Sequence, residues 1–402
     1  MKHILSAIFC GLSFTMAFCS IADAATLIVS PGGTAEPRCP TPKYSSIQAA
    51  VTAANPGDTV YVCPGVYPEQ VVINKALTLS GPIAQPTSDL SAPDDAIIAP
   101  AISSTTPSLD TSMPLGPIIL VQSAMNVDLV NLTIDGSNNG IGGCGPTLVG
   151  ILFQNASGTV AYNTVKNVIL GSGLGGCQSG DGILIQTSQG GSTSVTIAEN
   201  NVYDYQKSGI IVNDAGTSAS IENNVVTGLG PSTVIAQIGI QLFEGSGKIL
   251  NNTVAYNIYS PCLAATPSGC PFAAANILVQ GAGNNTHVTG NSARASNVGI
   301  YVQGAAILQQ NTVSGAFPLD GIDLVGNASQ ATNNTVVRSQ SAFYVDGLSN
   351  TVDSNIINGA TTGLLIDTAS SGTTAMPNQF YSTHIPAGTT TRTFTPVLPT
   401  QP

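Results

Sequence analysis

The side chains best suited to acid–base chemistry are aspartates in or beside two Asp-Gly-Ile steps. One step is Asp181-Gly182-Ile183, and the other is Asp320-Gly321-Ile322, which Asp323 follows directly. A carboxyl group can act as a general acid or base, or as a ligand for a cation. The alternative is that Asp before Gly is simply a turn residue.

Basic side chains that could abstract a proton are scarce in this sequence. The enzyme hypothesis takes Arg294 or Arg338 as the base and Asp181, Asp320 and Asp323 as acids or cation ligands. Lys166 and Lys207 are further candidates for the base. The alternative is that all four cations are ordinary surface charges.

Amides and tyrosines recur at equivalent positions of successive segments and form the predicted substrate-binding set. An amide can form paired hydrogen bonds with sugar hydroxyls, and an aromatic ring can pack against the C–H face of a sugar. The alternative is a solvated sheet face whose amides only pair with one another. The predicted residues are Gln154, Gln186, Gln280, Gln303, Tyr301 and Tyr344.

Asp346 and Asp367 occupy the same position in neighbouring segments, so we predict that they lie about one strand spacing apart. Two carboxylates this close either raise one pKa or recruit a cation. With Asp323 nearby, they are the predicted weak Ca²⁺ site, although no cofactor is expected to be required. The alternative is repulsion between solvated charges.

A repeat positions all of these residues. Short apolar runs opened by a small residue begin at Gly299-Ile300, Gly321-Ile322, Ala342-Phe343 and Gly363-Leu364, in steps of 22, 21 and 21 residues. A fixed period in this range indicates one structural unit stacked on copies of itself. Each run is preceded by a strand opened by Asn, as at Asn291, Asn311, Asn334 and Asn355.

Composition indicates an all-β solenoid. Only 8% of the residues are charged, 43 are Gly, 25 are Pro and none is Trp. Alternate residues of the Gly-led runs are almost all branched aliphatic or aromatic, which predicts an inward-facing column. A second series of strands is opened by Asn, and this corner Asn should tolerate the left-handed conformation and hydrogen-bond to its neighbours. The nine predicted strands begin near Asn131, Asn163, Asn201, Asn224, Asn252, Asn291, Asn311, Asn334 and Asn355.

The earlier repeats are longer, and their surplus residues always precede the Gly-led strand. These insertions, at 136–149, 170–181, 227–238 and 257–275, should therefore crowd one side of the solenoid. Six cysteines follow the N-terminal segment, and an even number in an exported chain indicates disulfides. Of fifteen possible connectivities we favour Cys39–Cys63, Cys144–Cys177 and Cys262–Cys270.

The chain divides into four predicted segments. Residues 1–24 have the pattern of a cleaved signal peptide, which places the protein in the periplasm or outside the cell. Residues 25–80 form an N-terminal cap with an amphipathic helix and the first coils, residues 81–367 form coils with loop insertions, and residues 368–402 form a lid and a Thr/Pro-rich tail.

The net charge of the chain limits the partners that it can bind. With 21 acidic and 10 basic residues the net charge is −11, which disfavours binding to nucleic acid. No later apolar run reaches the ~20 residues that a membrane span needs. We expect a monomer with a polysaccharide partner.

The stretch SIQAAVTAANPGDTVYVCPGVYPEQVVINKALTLSGP resembles the opening of many pectin lyase-like β-helix proteins. This superfamily includes proteins with carbohydrate-binding and sugar-hydrolase repeats, pectin methylesterases, and the periplasmic maturation protein of nitrous oxide reductase. The resemblance implies a single-stranded right-handed parallel β-helix with an N-terminal helix cap. It leaves the chemistry open, because the fold is shared by lyases, esterases, hydrolases and non-catalytic members.

Motifs of individual members are incomplete here. The Asp-Gly-Ile steps resemble a segment of polygalacturonases, but the other signatures of that family are absent, and the histidines after residue 24 are His287 and His384. Pectin methylesterase motifs are not intact either. The methionines after residue 24 are Met113, Met125 and Met376, too scattered for a copper site.

The sequence therefore predicts an exported β-helix protein that binds polysaccharide along an outward strand face beside the inserted loops. One alternative is a polysaccharide-degrading enzyme, either a uronate lyase or a glycosidase. The other is a periplasmic maturation-type or structural β-helix protein without catalysis.

Overall fold

The computed structural model describes residues 24–35, 39–83, 95–110, 113–264, 272–281, 286–316, 319–375 and 377–390. Within these residues the chain coils through three long sheets, and every pairing between successive coils is parallel. The prediction of an all-β parallel β-helix is confirmed.

Sheet I has twelve strands: β1 (Thr26–Val29), β2 (Thr59–Val62), β5 (Leu77–Ser80), β9 (Val127–Val130), β12 (Gly158–Ala161), β15 (Thr193–Ala198), β18 (Thr217–Glu222), β21 (Ser246–Leu250), β24 (Thr286–Thr289), β27 (Ala306–Gln309), β30 (Gln330–Thr332) and β33 (Thr351–Asp353).

Sheet II also has twelve strands: β3 (Gly65–Tyr67), β6 (Ala96–Ile98), β10 (Thr133–Asp135), β13 (Thr164–Lys166), β16 (Asn201–Tyr203), β19 (Val225–Ser232), β22 (Thr253–Tyr259), β25 (Ser292–Ser296), β28 (Thr312–Ala316), β31 (Thr335–Val337), β34 (Ile356–Asn358) and β36 (Gln379–Tyr381).

Sheet III contains the Gly-led strands: β4 (Val71–Ile73), β8 (Pro114–Gln122), β11 (Thr147–Gln154), β14 (Asp181–Gln186), β17 (Ser208–Asn213), β20 (Ile238–Phe243), β23 (Ala275–Gln280), β26 (Val298–Gln303), β29 (Asp320–Val325), β32 (Ser341–Asp346), β35 (Thr362–Asp367) and β37 (Ile385–Thr390). A short strand, β7 (Thr106–Pro107), pairs antiparallel with β8.

The N-terminal amphipathic stretch forms helix α1 (Ile47–Ala53). The Ser46 hydroxyl accepts from the Ala49 N–H at 3.3 Å, and the Glu69 carboxylate accepts from the Ile47 N–H at 2.7 Å. Both oxygens satisfy N–H groups that a helix start leaves unpaired. The helix contacts β1, β2 and β4 and buries Ile47 and Val51. Its role in closing the end of the solenoid remains a prediction.

Other helices are short: α2 (Pro261–Ala264) and two 3-10 turns at Pro31–Gly33 and Gly136–Asn138. None of the helices in the described ranges is long and apolar enough to cross a membrane. Beyond residue 367, β36 and β37 extend sheets II and III by one strand each.

Inward-facing aliphatic side chains from the three sheets form one continuous core. The predicted inward column of sheet III is present, with pairs such as Ile300 next to Ile322 and Val302 next to Leu324, all of them completely buried. Packing of this kind stabilises the fold mainly through the hydrophobic effect.

Disulfides join Cys39 to Cys63 and Cys144 to Cys177, with Cα–Cα distances of 5.9 and 5.1 Å. Both pairings are as predicted, and the second links two successive insertions. Cys262 is also disulfide-bonded. Its predicted partner, Cys270, lies outside the described residues.

The corner between sheets I and II contains a ladder of buried asparagines. Each Nδ2 donates to a backbone carbonyl, and in every member before the last it also donates to the Oδ1 of the Asn in the next coil. In every member after the first, the Oδ1 also accepts the backbone N–H of the preceding Asn. The described members are Asn163, Asn200, Asn224, Asn252, Asn291, Asn311, Asn334, Asn355 and Asn378.

The ladder differs from the sequence prediction in two respects. Its members include Asn200 rather than Asn201, while Leu132, one residue after Asn131, stands at the ladder position and donates its N–H to the Asn163 Oδ1 at 3.0 Å. The left-handed residue is also not the ladder Asn but the residue before it, as at Gln310 (φ 56°). The reason is geometric, because the left-handed turn directs the next amide into the corner.

We predict that Asn334→Ala lowers the free energy of unfolding by about 3 kcal/mol, because it leaves buried groups of Asn311 and Asn355 without partners. Asn334 is 0% exposed, and its Oδ1 accepts from the Asn311 N–H and Nδ2 at 3.0 and 2.9 Å. Urea denaturation measures the change.

The control is Thr335→Ala, whose side chain is half-buried on sheet II. We expect a loss below about 1 kcal/mol for this variant. Equal losses for the two variants would contradict a stabilising role for the ladder.

Candidate functional site

The outer face of sheet III carries the predicted substrate-binding and Ca²⁺-binding residues in two columns. The first column is in the predicted register: Leu152, Leu184, Ile211, Gln241, Leu278, Tyr301, Asp323, Tyr344 and Leu365. Strand pairing therefore stacks these side chains at about one strand spacing.

This first column is buried rather than open. Tyr301 and Tyr344 are 1% and 2% exposed, and Asp323 is 0% exposed. Leu278 and Tyr301 lie in an apolar cluster with Leu319, against which Tyr259 packs. In this structure the two tyrosine rings therefore offer no stacking surface to a sugar.

The second column changes character along the solenoid. Its members are Gln154, Gln186, Asn213, Phe243, Gln280, Gln303, Val325, Asp346 and Asp367. Gln154 and Gln186 are only 1% and 2% exposed, because residues 106–110 cross over them. Gln303, by contrast, is exposed, and Gln280 and Asp346 are half-buried.

The open half of this column borders a groove of about 610 Å³. A column of glycines forms its floor, and the lining residues are Gln303, Gly304, Ala305, Val325, Gly326, Asn327, Asp346 and Gly347. A Cβ on Gly347 would lie 1.9 Å from the carbonyl oxygen of Gly326. Close stacking of the coils therefore excludes side chains here and keeps the groove open.

Asp181 and Lys207 are buried near each other at the start of two neighbouring strands of sheet III. Asp181 starts β14, and Lys207 immediately precedes β17, the next strand of the sheet. Their side chains are 0% and 2% exposed, and Lys207 Nζ has no hydrogen-bond partner among the described residues. The two charges interact with each other across this buried space.

Burial shifts both groups of this pair towards neutrality. It raises the pKa of Asp181 to about 7, opposed by the charge of Lys207 and by Ser208. It lowers the pKa of Lys207 to about 7, opposed by the charge of Asp181. Neither carboxylate oxygen of Asp181 is hydrogen-bonded to Lys207 Nζ. The two groups therefore influence each other through their charges, and the structure shows no hydrogen bond along which a proton could pass between them.

The other predicted catalytic residues do not join this pair. Asp320 occupies the same column as Asp181 but lies five strands further along sheet III, or ~24 Å at the usual strand spacing. Asp323 is on the same strand as Asp320. Arg294 and Arg338 are exposed and belong to sheet II and the turn after it. Lys166, a further candidate, pairs with Asp135 at 3.6 Å.

Asp346 and Asp367 are neighbours in register, as predicted, but they provide few ligands for a cation. Asp367 is 6% exposed, its Oδ2 accepts from the Tyr344 hydroxyl at 3.3 Å, and its Oδ1 accepts from the Ala369 N–H at 2.9 Å. Ca²⁺ prefers six to eight oxygen ligands. Among the described residues, no group of three His, Cys, Asp or Glu side chains is placed to hold a metal ion.

Sequence reasoning missed a second set of carboxylates, Asp110, Asp214 and Glu244. Asp214 and Glu244 stand one residue after the ends of β17 and β20, at the edge of the second column. The repeat could have revealed those two, since they occupy the same position in successive coils. Asp110 lies in an excursion without a repeat, so no sequence pattern indicated its contact with Asp214.

We predict opposite pH dependence for two substitutions in the buried pair. Asp181→Asn removes the carboxylate that favours protonated Lys207, so its destabilisation should be greater at about pH 5 than at about pH 9. Lys207→Met should destabilise more at about pH 9, where Asp181 ionises without its partner. For each variant the destabilisation at the two pH values should differ by more than about 1 kcal/mol, since one pKa unit corresponds to about 1.4 kcal/mol. Urea denaturation at both pH values measures the difference.

The signs follow from linkage. The folded-state pKa of Asp181 is raised above its ordinary value of 3.8, so its stabilising contribution is lost as the pH rises through about 7. The folded-state pKa of Lys207 is lowered below its ordinary value of 10.5, so the stabilising contribution of Lys207 is lost as the pH falls through about 7. The double variant serves as the control, and the same pH profile for both single variants would contradict the interaction.

Similarity to known proteins is structural. No protein-family model matches the sequence, and no curated protein is similar to it in sequence. The structure is similar to that of the GH136 lacto-N-biosidase from Eubacterium ramulus, with a TM-score of 0.56 and 12% identity, covering 89% of this chain and 68% of that one.

The structure is also similar to the A-module of the mannuronan C-5 epimerase AlgE4 from Azotobacter vinelandii. The TM-score is 0.52 and the identity 15%, over 86% of this chain and 94% of that one. At such identities the likeness establishes the fold alone. Together with the three parallel sheets, it shows that the chain has a parallel β-helix fold.

Proposed function

We propose that this protein is exported and binds polysaccharide along the open half of the second column of sheet III. The observation that carries the proposal is the groove of about 610 Å³ between Gln303 and Asp346. The floor of this groove is glycine backbone, and its edge carries the amide of Gln303 and the carboxylate of Asp346.

The chemistry of these side chains suits sugar hydroxyls. The amide of Gln303 can both donate and accept hydrogen bonds, and the carboxylate of Asp346 accepts them. Gln280 continues the same column one coil earlier and is half-buried. An extended chain lying along the solenoid would therefore meet a polar group of this column on three of four successive coils, with Val325 between Gln303 and Asp346.

Export is supported by the disulfides Cys39–Cys63 and Cys144–Cys177, which persist in oxidising compartments. The proteins of similar structure are named as a lacto-N-biosidase and a mannuronan C-5 epimerase, and both names refer to sugars. Their likeness supports a carbohydrate partner for this chain through the shared fold only.

We expect Gln303→Ala and Asp346→Asn each to weaken binding about fivefold to tenfold, since one hydrogen bond contributes about 1 to 1.5 kcal/mol. A glycan array identifies the ligand, and calorimetry then measures the affinity of each variant. The matched control is Gln309→Ala, an exposed glutamine on sheet I. Unchanged affinity in both groove variants would rule out this groove.

The enzyme alternative is a uronate lyase or a glycosidase. Its support is the pKa of about 7 that burial gives to both Asp181 and Lys207, two side chains that are buried in this structure. Assays for unsaturated products and for new reducing ends on a panel of uronans test it. If neither product forms with any substrate, the alternative of a binding or structural protein without catalysis is retained.

Weak binding of Ca²⁺ by Asp346 and Asp367 remains a proposal. The test is a thermal shift at millimolar Ca²⁺, compared with Asp367→Asn. No shift in the unsubstituted protein would remove it.

A further inference from the structure

We propose that residues 106–110 form a strap with a pH-responsive tip, which is held closed while Asp214 is protonated and is released when Asp214 is ionised. The strap covers the first three residues of the second column, Gln154, Gln186 and Asn213. This inference does not depend on glycan binding.

The strap is held at its start by strand pairing and by Gln154. Thr106 and Pro107 pair with β8, and the Thr106 hydroxyl donates to the Gln154 Oε1 at 3.1 Å. The Gln154 Nε2 in turn donates to the Pro107 carbonyl at 2.8 Å. These contacts involve neutral groups, so this end of the strap does not change with pH.

The middle of the strap is bound by Gln186 on the next coil. The Leu109 N–H donates to the Gln186 Oε1 at 3.3 Å, and the Gln186 Nε2 donates to the Ser108 hydroxyl at 2.9 Å. Both polar atoms of Gln186 are therefore used by the strap, which explains why this glutamine is only 2% exposed.

The tip of the strap depends on Asp110. Its Oδ2 accepts from the Gln186 Nε2 at 3.1 Å and from the Asn213 Nδ2 at 3.0 Å. The Asp110 carboxyl group is also hydrogen-bonded to that of Asp214. Two carboxylates can form this bond only if one of them carries a proton.

The surroundings of Asp214 determine when that proton is lost. Burial is the main cause that raises the pKa of Asp214 to about 7, and the bond to Asp110 and the charges of Asp110 and Glu244 raise it further. The Thr187 N–H, which donates to the Asp214 Oδ2 at 3.0 Å, opposes the rise. The groups facing Asp214 are thus Asp110 from the strap, Glu244 from the next coil and a neutral amide from the preceding coil.

Ionisation reverses the interaction at the tip. Below about pH 7 the protonated Asp214 donates to Asp110 and holds the strap closed. Above it, Asp110 and Asp214 repel each other, and Glu244 adds to the repulsion. Because the pKa is raised in the closed state, closure is favoured at low pH and is lost as the pH rises through about 7.

Hydrogen exchange of the full chain, measured by mass spectrometry at about pH 5.5 and about pH 8.5, tests the proposal. After correction for intrinsic exchange rates, the amides of Leu109 and Asp110, within the peptide containing residues 106–110, should lose protection about tenfold or more at the higher pH, as expected for a group that titrates more than one unit below it. Peptides from β28 and β31 should keep their protection.

Asp214→Asn is the decisive variant, because the amide can donate to Asp110 at every pH. It should keep the strap protected at both pH values. The matched control is Asp128→Asn, a half-buried aspartate on sheet I, which should behave as the unsubstituted protein. Equal strap protection at the two pH values, a loss shared by β28 and β31, or a loss that persists in Asp214→Asn would each overturn the proposal.

Discussion

The stacking of one coil on the next, at a constant spacing, is the constraint on which the rest of this structure depends. Each turn between sheets I and II must bury a polar backbone corner, and buried N–H and C=O groups require partners. The asparagine ladder meets that requirement, because each amide serves its own coil and the next one. The regular corner fixes the register of sheet III and therefore determines which side chains come together on its outer face.

That outer face combines two environments. Near Leu152, Leu184 and Ile211 it is apolar and buried, whereas near Gln303 it is polar and open. Parallel sheets are commonly buried on both faces. We therefore place the candidate binding site at the glycine floor, where the outer face of sheet III becomes exposed, and not along the whole length of the sheet.

The periodicity of the sequence was sufficient to predict the fold, the order of the outward columns and the disulfides Cys39–Cys63 and Cys144–Cys177. Periodicity determines the column in which a residue lies, but it contains no information about what covers that column. Tyr301 was therefore predicted at the right position with the wrong exposure. The electrostatic interaction of Asp181 with Lys207 was also beyond periodicity, because Lys207 lies in the connection between β16 and β17, outside the repeating columns.

The contacts of residues 106–110 were unpredictable for a related reason. A segment outside the repeat has no register, so its position over Gln186 depends on tertiary hydrogen bonds between residues far apart in sequence. The same argument applies to Asp110 and Asp214, which are adjacent in space only because the excursion folds back along β8.

The glycine floor of the groove has a thermodynamic consequence. Gly304, Gly326 and Gly347 have no side chains, and their backbones are fixed by the stacked coils. Binding usually costs conformational entropy, because side chains at the contact lose rotamer freedom. A surface made of ordered backbone has none of that freedom to lose, so in this groove the loss of side-chain entropy on binding is confined to edge residues such as Gln303 and Asp346.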